Sequence, residues 1–416
     1  MSKKVIIIGG GIIGLCSAYY LQKEGHEVLI IDQSNMNAGA SYVNAGYISP
    51  SHFISLAAPG IISKGIKWMF DSASPFYVKP RLDLEFLKWA VAFKKSATKI
   101  KVEKSISVLK DINLFSRDLY EDLQHSRIFN FHYERKGLLM CYQSDKVGEE
   151  EWKVGKRGIE EGLGVKHLSK KEVNLLQPKA NLNIKGAVYY DCDAHMTPNN
   201  FMKDMVSYLK ENGVIFHKNE SVKDLQVSNG TIKKVITDKR ELLCDDVVLS
   251  AGSWSPLITK KLGIKIPLQA GKGYRINVER ETNITIPAIL CEAKVAVTPM
   301  DGFTRFAGTM EIAGINHNIN HKRVDAIADA AKRYYNNLEI TSKEKDNAQC
   351  GLRPCTPDGL PYIGKSSKCN NLTIATGHAM MGWSLGPATG MLVSEIIFNK
   401  KTSLNTEAFN PDRCFY

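Results

Sequence analysis

The sequence lacks the features of a membrane-spanning or disulfide-stabilised protein. None of its apolar runs reaches 18 residues, so we expect no transmembrane helix. Its nine cysteines stand singly, without a C-x-x-C pair or a cluster of cysteine with histidine, so we expect neither a bound metal nor a disulfide framework. This use of cysteine is typical of a reducing compartment, and we therefore expect a cytoplasmic protein.

Internal repeats and low-complexity linkers are also absent from the 416 residues. Lysine and arginine outnumber aspartate and glutamate by 55 to 43, a net charge of +12 that suits nucleic acid, anionic lipid or an anionic substrate. The excess is spread along the chain, with one denser stretch at residues 88–110, as in ordinary solvated helix faces. No aromatic-and-basic recognition motif accompanies it, so we expect no nucleic-acid partner.

A glycine-rich turn near the N-terminus is flanked by strand and helix patterns. The apolar, β-branched residues 5–8 predict a buried parallel strand rather than a leader peptide, because three glycines interrupt the apolar run. The motif G-x-G-x-x-G at residues 9–14 forms the turn, and residues 15–23 continue as a helix. Its glycines permit a tight turn, close approach of the backbone to a pyrophosphate and close packing of helix on strand. The helix N-terminus would receive the phosphates.

Asp32 ends a second predicted strand at residues 28–31. Its carboxylate would accept hydrogen bonds from the adenosine ribose, and an acid there disfavours the 2′-phosphate of NADP. The motif predicts a dinucleotide without separating FAD from NAD. Three later segments favour FAD: the small-residue stretch at 40–47, the strand and turn at 247–254, and the strand at 372–376 that leads into the last helix. A helix N-terminus there would stabilise the negative charge of reduced flavin, whereas nicotinamide becomes neutral on reduction.

The strand–turn–helix units at both ends of the chain, with different patterning between them, predict an α/β protein. We expect a discontinuous, Rossmann-type FAD-binding domain with an inserted α+β substrate-binding domain that contains an antiparallel sheet. The predicted FAD-binding domain comprises residues 1–80, 185–270 and 340–416. The predicted substrate-binding domain comprises residues 81–184 and 271–339.

Residues 60–130 have a mainly helical pattern, with aromatic and leucine spacing at Leu84, Leu87 and Val91. Residues 59–70 mix lysine with isoleucine, tryptophan and phenylalanine, and two interpretations stay open for them. They form buried helices of the substrate-binding domain, or they dock peripherally on the anionic inner face of the cytoplasmic membrane, helped by the charge of residues 88–110.

Motifs along nearly the whole chain resemble those of the D-amino-acid oxidase and glycine oxidase superfamily of FAD enzymes. In pattern they are most similar to the bacterial D-amino-acid dehydrogenase small-subunit-type proteins. The glycine loop is shared by many flavoproteins, and the later motifs are more specific. The motifs are VIIIGGGIIG at 5–14, NAG at 44–46 with SP at 49–50, AAPG at 57–60, KWMF at 67–70, SAGSW at 250–254, KGY at 272–274, GLRP at 351–354, TPDGLP at 356–361, and GH at 377–378 with GW at 382–383.

The glycine loop, the three later segments and the resemblance together imply a set of FAD-binding residues. Val222 matches the family's backbone contact to adenine, and residues 378–384 match the loop around the pyrimidine end of the flavin. The predicted cofactor-binding residues are Gly9, Gly11, Ile12, Ile13, Gly14, Asp32, Gln33, Ala40, Ser41, Asn44, Ala45, Gly46, Tyr47, Val222, Ala251, Gly252, Trp254, Gly377, His378, Ala379, Met380, Met381, Gly382, Trp383 and Ser384.

The substrate site is predicted around Arg353. Held in a stiff Gly/Pro turn, its guanidinium presents a planar fork to a carboxylate, and the resemblance implies that it binds the substrate carboxylate. The alternative is a structural ion pair, for example with Asp358. Ala296 and Met380 stand where glycine oxidase has a tyrosine and a second arginine, which leaves room for a side chain larger than that of glycine. The weaker substrate-site candidates are Tyr47, His52, Tyr274, Ala296, His378 and Met380, with His195 as a further one.

The resemblance implies FAD-dependent oxidative deamination of a small amino acid, and we expect a D-amino acid. Hydride transfer from Cα to flavin N5 would give an imino acid, which hydrolyses to a 2-oxo acid and ammonia. One alternative is an oxidase or dehydrogenase of a secondary amine or cyclic amino acid, such as sarcosine or a proline derivative. Another is an NAD-dependent dehydrogenase. The electron acceptor stays open between a quinone or electron-transfer chain and oxygen.

Overall fold

The structure is a computed structural model that describes residues 2–57, 76–79, 81 and 83–415. Its strands are β1 Lys4–Ile8, β2 Glu27–Asp32, β3 Tyr47–Ile48, β4 Phe76–Val78, β5 Tyr133–Glu134, β6 Leu138–Tyr142, β7 Val165–Ser169, β8 Gly186–Tyr190, β9 Ala194–Met196, β10 Ile215–Lys218, β11 Val222–Ser228, β12 Thr231–Thr237, β13 Glu241–Leu243, β14 Asp246–Leu249, β15 Gln269–Val278, β16 Ala288–Leu290, β17 Val295–Met300, β18 Phe303–Ile312, β19 Gln349–Cys355, β20 Tyr362–Lys365 and β21 Leu372–Thr376. Its α-helices are α1 Ile12–Lys23, α2 Ala40–Val43, α3 Leu84–Ser96, α4 Lys99–His125, α5 Asp145–Glu160, α6 Lys170–Leu176, α7 Pro198–Glu211, α8 Ser255–Thr259, α9 His321–Tyr334, α10 Ser342–Asp346 and α11 Gly386–Ile397.

The first large sheet has the strand order β10-β2-β1-β14-β21-β20. All neighbouring strands are parallel except β20, which runs antiparallel to β21. The apolar residues of β1 are fully or almost fully buried, because helices α1, α7 and α11 pack on one face and the small sheet β11-β12-β13 packs on the other. This doubly covered parallel sheet confirms the predicted Rossmann-type part of the fold.

Helix α1 begins at Ile12, three residues before the predicted start, so the predicted turn was too long. The extended backbone of Gly11 precedes the helix, and Ile12 and Ile13 are already buried in its first turn. Gly14 therefore lies inside the helix. A Cβ atom there would overlap the carbonyl oxygen of Gly9, so helix and strand pack backbone against backbone.

The second large sheet has the strand order β19-β15-β18-β17-β16-β6-β8-β7, and β4 pairs with β18. It is antiparallel except where β16 meets β6 and where β4 meets β18. Helix α9 packs on it, and Val324, Ile327 and Tyr334 of that helix are fully buried. The expected antiparallel sheet is thereby confirmed, and the fold as a whole is of the predicted mixed α/β class.

The division of the chain into two domains stays a prediction, and three elements bear on its boundaries. Strands β8 and β19 pair within the second sheet, although the predicted boundaries at 185 and 340 assigned them to the FAD-binding domain. Helix α4, assigned to the substrate-binding domain, packs with α1 and α11 in the core of the first sheet. Hydrophobic packing and strand pairing therefore cross the predicted boundaries.

The leucine and valine residues whose spacing indicated helix α3 lie on its exposed face. Leu84, Leu87 and Val91 have exposed fractions of 64%, 48% and 50%. The buried face instead carries Trp89, whose Nε1 donates to the carbonyl oxygen of Cys355 at 2.9 Å and whose ring stacks on Phe93. The aromatic side chains occupy the inward face because they fill more volume and because the indole N–H has a hydrogen-bond partner there.

Residues 59–70, on which the hypothesis of membrane docking was based, lie outside the described residues. Among the helices that the structure describes, none is both long and apolar enough to cross a membrane.

A small antiparallel sheet, β3-β9-β5, joins the segments around residues 47, 133 and 195.

Replacing Gly14 with alanine tests the contact between helix α1 and the glycine turn. We expect the free energy of unfolding to fall by about 1–3 kcal/mol, because the added methyl group must displace backbone. Chemical denaturation of the purified variant measures this change. Gln22→Ala, on the same helix but away from the turn, is the control and should stay within about 0.5 kcal/mol of the wild type. Equal stability of the Gly14 variant and the control would contradict the packing.

Candidate functional site

A cavity of about 1280 Å³ lies where the parallel strands of the first sheet end and the second sheet begins. The first sheet contributes Ile8 and Asp32, from the carboxyl ends of β1 and β2. The second sheet contributes Tyr274, Ala296 and Arg353 from β15, β17 and β19. Open α/β sheets bind ligands outside the carboxyl ends of their strands, so the cavity has the location expected of a nucleotide site.

The structure brings most of the predicted site residues together around this cavity. Seven of the eight predicted substrate-site residues line it, and His195 does not. The lining residues are Arg353, Tyr47, His52, Tyr274, Ala296, His378 and Met380, together with Gly9, Gly11, Ile12, Ile13, Asp32, Gln33, Ala40, Ser41, Asn44, Ala45, Val222, Ala251, Gly252, Trp254, Ala379, Met381, Gly382 and Trp383.

Four predicted cofactor-binding residues do not line the cavity, and their environments show structural roles. Gly14 and Gly46 make close backbone contacts, since a Cβ on Gly46 would overlap the carbonyl oxygen of Met196. Gly377 has a φ of +81°, which favours glycine. The Ser384 hydroxyl is buried and occupied, because it donates to Asn113 at 2.5 Å and accepts the Ser49 N–H at 2.9 Å.

The nucleotide end of the cavity has the properties of an anion site. Helix α1 opens onto it without a side-chain cap, and no acidic residue lies in its first turn. The Ile12 N–H donates to the Ser41 hydroxyl at 3.0 Å, but no acidic side chain of the first turn balances the positive end of the helix dipole. Asp32 is held rigidly at the end of β2, because its carboxylate accepts the Gly10 N–H at 2.8 Å and the Ser34 N–H and hydroxyl at 2.8 and 2.6 Å. These groups fit a pyrophosphate beside a ribose.

At the other end, Arg353 is a desolvated cation without an ion-pair partner among the described residues. Its Nη1 donates to the carbonyl oxygen of Thr309 at 2.7 Å, and burial lowers the pKa of the guanidinium. The group packs so closely on Gly273 that a Cβ there would overlap it. Asp358, the partner considered from the sequence, pairs instead with Arg413 at 2.8 Å.

Carboxylates are confined to the nucleotide end of the cavity. Among the described lining residues the carboxylates are those of Asp32 and Glu220. Asp32 is the last residue of β2, and Glu220 lies two residues before β11. Glu220 is buried and accepts the Thr237 hydroxyl at 2.7 Å. The Arg353 end therefore carries positive charge that a ligand carboxylate would neutralise.

The two tyrosines predicted for the substrate site, Tyr47 and Tyr274, present rings rather than free hydroxyl groups. The Tyr47 hydroxyl lies 2.8 and 3.0 Å from the carbonyl oxygens of Ala288 and Val297. The Tyr274 hydroxyl donates to Glu311 at 2.9 Å. Both hydroxyls hold the second sheet together, so their contribution to a ligand is the shape of the pocket.

A hydrogen-bonded chain that sequence reasoning missed supports His52. The Ser51 hydroxyl lies 3.2 Å from His52 Nδ1 and donates to Asp193 at 2.6 Å, and the Ser51 N–H donates to the same carboxylate at 2.9 Å. Burial raises the pKa of Asp193 to about 7 and lowers the pKa of His52 to about 4. Burial likewise lowers the pKa of His378 to about 3. The imidazoles of His52 and His378 are therefore neutral at physiological pH.

An apolar wall next to Arg353 was also missed. The sequence signal for this wall is the spacing of Phe86, Trp89 and Phe93 along helix α3, which places the three rings on one face. The leucine spacing on the other face was noted instead. The members of this wall are the apolar lining residues Leu56, Phe76, Val78, Phe86, Trp89, Ala90, Phe93, Ile289, Met310 and Ile312.

Comparison with known proteins gives concordant results. A family model described as FAD dependent oxidoreductase matches residues 4–396. The D-amino acid dehydrogenase of Helicobacter pylori is 30% identical over 399 residues, which cover 95% of each chain. That of Vibrio atlanticus (strain LGP32) is 32% identical over 416 residues, covering 97% of this chain and 98% of the relative. Among solved structures, glycine oxidase from Geobacillus kaustophilus superposes with a TM-score of 0.79 at 20% identity, over 99% of both chains.

Asp193→Asn tests the buried carboxyl behind His52. The folded protein holds the Asp193 proton up to about pH 7, whereas the ordinary value is 3.8. The stability that this proton confers is complete below pH 4 and is lost as the pH rises through 7. The stability of the wild type relative to the variant should therefore fall between pH 5 and pH 8, as measured by thermal unfolding. Asp329→Asn, an exposed carboxylate, is the control. Parallel profiles for the wild type and the Asp193 variant would contradict the assignment.

Proposed function

This chain belongs to the family of FAD-dependent oxidoreductases, and from that premise we propose that it dehydrogenates D-amino acids at the Cα–N bond. The observation that carries the proposal is the partly buried guanidinium of Arg353, which faces the cavity without an acidic partner among the described residues. The choice of D-amino acids is supported by full-length relatives named D-amino acid dehydrogenase, at 30–32% identity.

The residues at the nucleotide end fit FAD. The uncapped N-terminus of α1 would hold the pyrophosphate, Asp32 the ribose and Val222 the adenine. The turn Ala379–Met381 and the flanking residues would hold the flavin ring. When bound, FAD supplies the two-electron oxidant that amine oxidation requires. The protein supplies binding, orientation and charge.

Arg353 is the proposed anchor of the substrate. A carboxylate that enters the cavity exchanges water for a charge-assisted, bidentate contact in a desolvated environment. The neutral His52 and His378 add no competing charge at this end. A zwitterionic amino acid bound in this way has its position fixed at the carboxylate, which leaves the Cα–N bond to be oriented by the pocket walls.

Pocket size is the proposed basis of side-chain preference. Ala296 and Met380 contribute little polar surface, and the apolar wall provided by helix α3 and strands β4 and β18 lines the remaining space. Burying a methylene group in such a pocket contributes about 0.8 kcal/mol. We therefore propose a preference for D-amino acids with apolar side chains larger than that of glycine.

The proposal extends to a quinone-type electron acceptor at a membrane surface. Helix α3 supports it, since its outer face exposes Leu84, Leu87 and Val91 while Lys94 and Lys95 lie exposed in its last turn. Apolar side chains combined with lysine suit the surface of an anionic bilayer. The dehydrogenase names of the relatives, rather than oxidase names, point the same way.

Arg353→Ala tests the carboxylate anchor. We expect kcat/KM for D-amino acids, measured with a dye acceptor, to fall by about 30- to 5,000-fold, from a loss of about 2–5 kcal/mol for a buried charged contact. Arg353→Lys keeps the charge but not the fork and should fall less. The visible spectrum reports whether each variant retains its cofactor. Arg135→Ala, which replaces an exposed arginine, is the control. Wild-type kinetics in the Arg353→Ala variant would refute the anchor.

Leu84→Ser/Leu87→Ser/Val91→Ser tests membrane docking. We expect the wild type to sediment with anionic vesicles in a salt-sensitive manner and the triple variant to lose at least about 10-fold in affinity, because it removes the inserted apolar area. Leu175→Ser/Leu243→Ser, which removes exposed leucines elsewhere, is the control. Docking would be excluded by a wild type that stays in solution, or by a triple variant that binds like the control.

A further inference from the structure

Three metal-ligating side chains meet on the small sheet β3-β9-β5, outside the lining of the cavity. Glu134 on β5 is the direct cross-strand partner of His195 on β9. His132 lies two residues before Glu134, and side chains alternate along an extended chain, so both are on the same side of the sheet. The pairing of the strands thus brings two imidazoles and one carboxylate to one spot.

The distances are close to those of a metal site. His195 Nε2 lies 3.3 Å and His132 Nε2 lies 3.7 Å from the same oxygen, Glu134 Oε2. All three donor atoms fall within 4.8 Å of one another. Ligand atoms bound tetrahedrally at 2.0–2.1 Å are separated by roughly 3.3 Å. One edge of the triangle already has this length, and the others require small side-chain adjustments.

His195 provides an independent indication of a missing partner. Its side chain is fully buried, and neither ring nitrogen makes a hydrogen bond of acceptable geometry. Buried polar groups without partners are rare and cost free energy, so each requires an explanation. A metal bound at Nε2 would give that nitrogen its missing partner.

The surroundings of His132 and Glu134 also suit a metal. His132 Nδ1 lies 3.0 Å from the Thr197 hydroxyl, and donation to that oxygen leaves the lone pair of Nε2 directed to the cluster. The side chains of His132 and Glu134 are 22% and 35% exposed, which gives a route for the ion and space for a water as fourth ligand.

Lys136 is the competing cation. Its Nζ lies 2.9 Å from Glu134 Oε2, and its side chain is 45% exposed and therefore able to move into solvent. Metal binding and this ion pair use the same carboxylate oxygen, so they exclude one another. Removal of the ammonium group should strengthen metal binding.

We propose that His132, Glu134 and His195 form a binding site for a divalent transition-metal ion, with Zn²⁺ as the best match to two imidazoles and one carboxylate. The sequence predicted no metal site, because it has no cluster of cysteine with histidine. Tyr47 on β3 is the other cross-strand partner of His195. The metal would therefore brace the strand that carries Tyr47 into the cavity, in a structural role separate from substrate binding.

Equilibrium dialysis of the metal-stripped holoenzyme against Zn²⁺ tests the proposal. We expect one saturable site in the wild type, at least about 10-fold weaker binding in His132→Gln and Glu134→Gln, and tighter binding in Lys136→Gln. His125→Gln, which removes an exposed histidine elsewhere, should bind like the wild type. Zn²⁺ should also raise the unfolding temperature of the wild type, but not that of Glu134→Gln.

The flavin spectrum checks that each variant is folded. The proposal is overturned if the wild type binds Zn²⁺ no better than His132→Gln, or if Lys136→Gln binds no more tightly than the wild type. The Lys136 variant makes the test independent of any loss of folding, because the expected change is a gain in affinity.

Discussion

The feature on which the rest of the site depends is a partly buried cation that has no acidic partner among the described residues. Arg353 is desolvated by the second sheet, satisfied at one nitrogen by the carbonyl oxygen of Thr309, and pressed against Gly273. A charged group that is removed from water and left unpaired costs free energy. A carboxylate that pairs with the guanidinium offsets this cost, so the site favours a ligand with a carboxylate. Asp358, which could have neutralised it, is occupied by Arg413.

The two large sheets supply different parts of the cavity lining. The parallel sheet provides an uncapped helix N-terminus and a fixed carboxylate at Asp32, which are suited to the nucleotide. The antiparallel sheet provides Arg353 and the ring of Tyr274, and helix α3 contributes to the apolar wall. Tyr47 lines the cavity from the small sheet β3-β9-β5, and the hydroxyls of both tyrosines are engaged elsewhere. Neither half is a complete site, and the reacting bond of a substrate must therefore lie where the halves meet.

The sequence predicted the features that depend on short-range geometry. The glycine loop and Asp32 were predictable because three glycines, an acid and two apolar runs fall within a few turns of chain. Arg353 followed from its motif. The support of His52 by Ser51 and Asp193 was not predictable, because it joins residues 142 positions apart. Periodicity indicated helix α3 but not its buried face. The helix has two apolar stripes, and the sequence does not show which of them packs against the rest of the protein. The cluster of His132, Glu134 and His195 depends on strand register, which the sequence does not display.

The most direct measurement of the central claim compares two substrates that differ only in the carboxylate. The rate of anaerobic flavin bleaching would be measured for a D-amino acid with an apolar side chain, for its L-enantiomer, and for the corresponding amine that lacks the carboxylate. We expect rapid bleaching by the D-amino acid and bleaching at least about 100-fold slower by the amine, which corresponds to roughly 2.7 kcal/mol of lost interaction with Arg353. Equal bleaching by the amine and the D-amino acid would contradict the claim that a carboxylate bound to Arg353 orients the substrate.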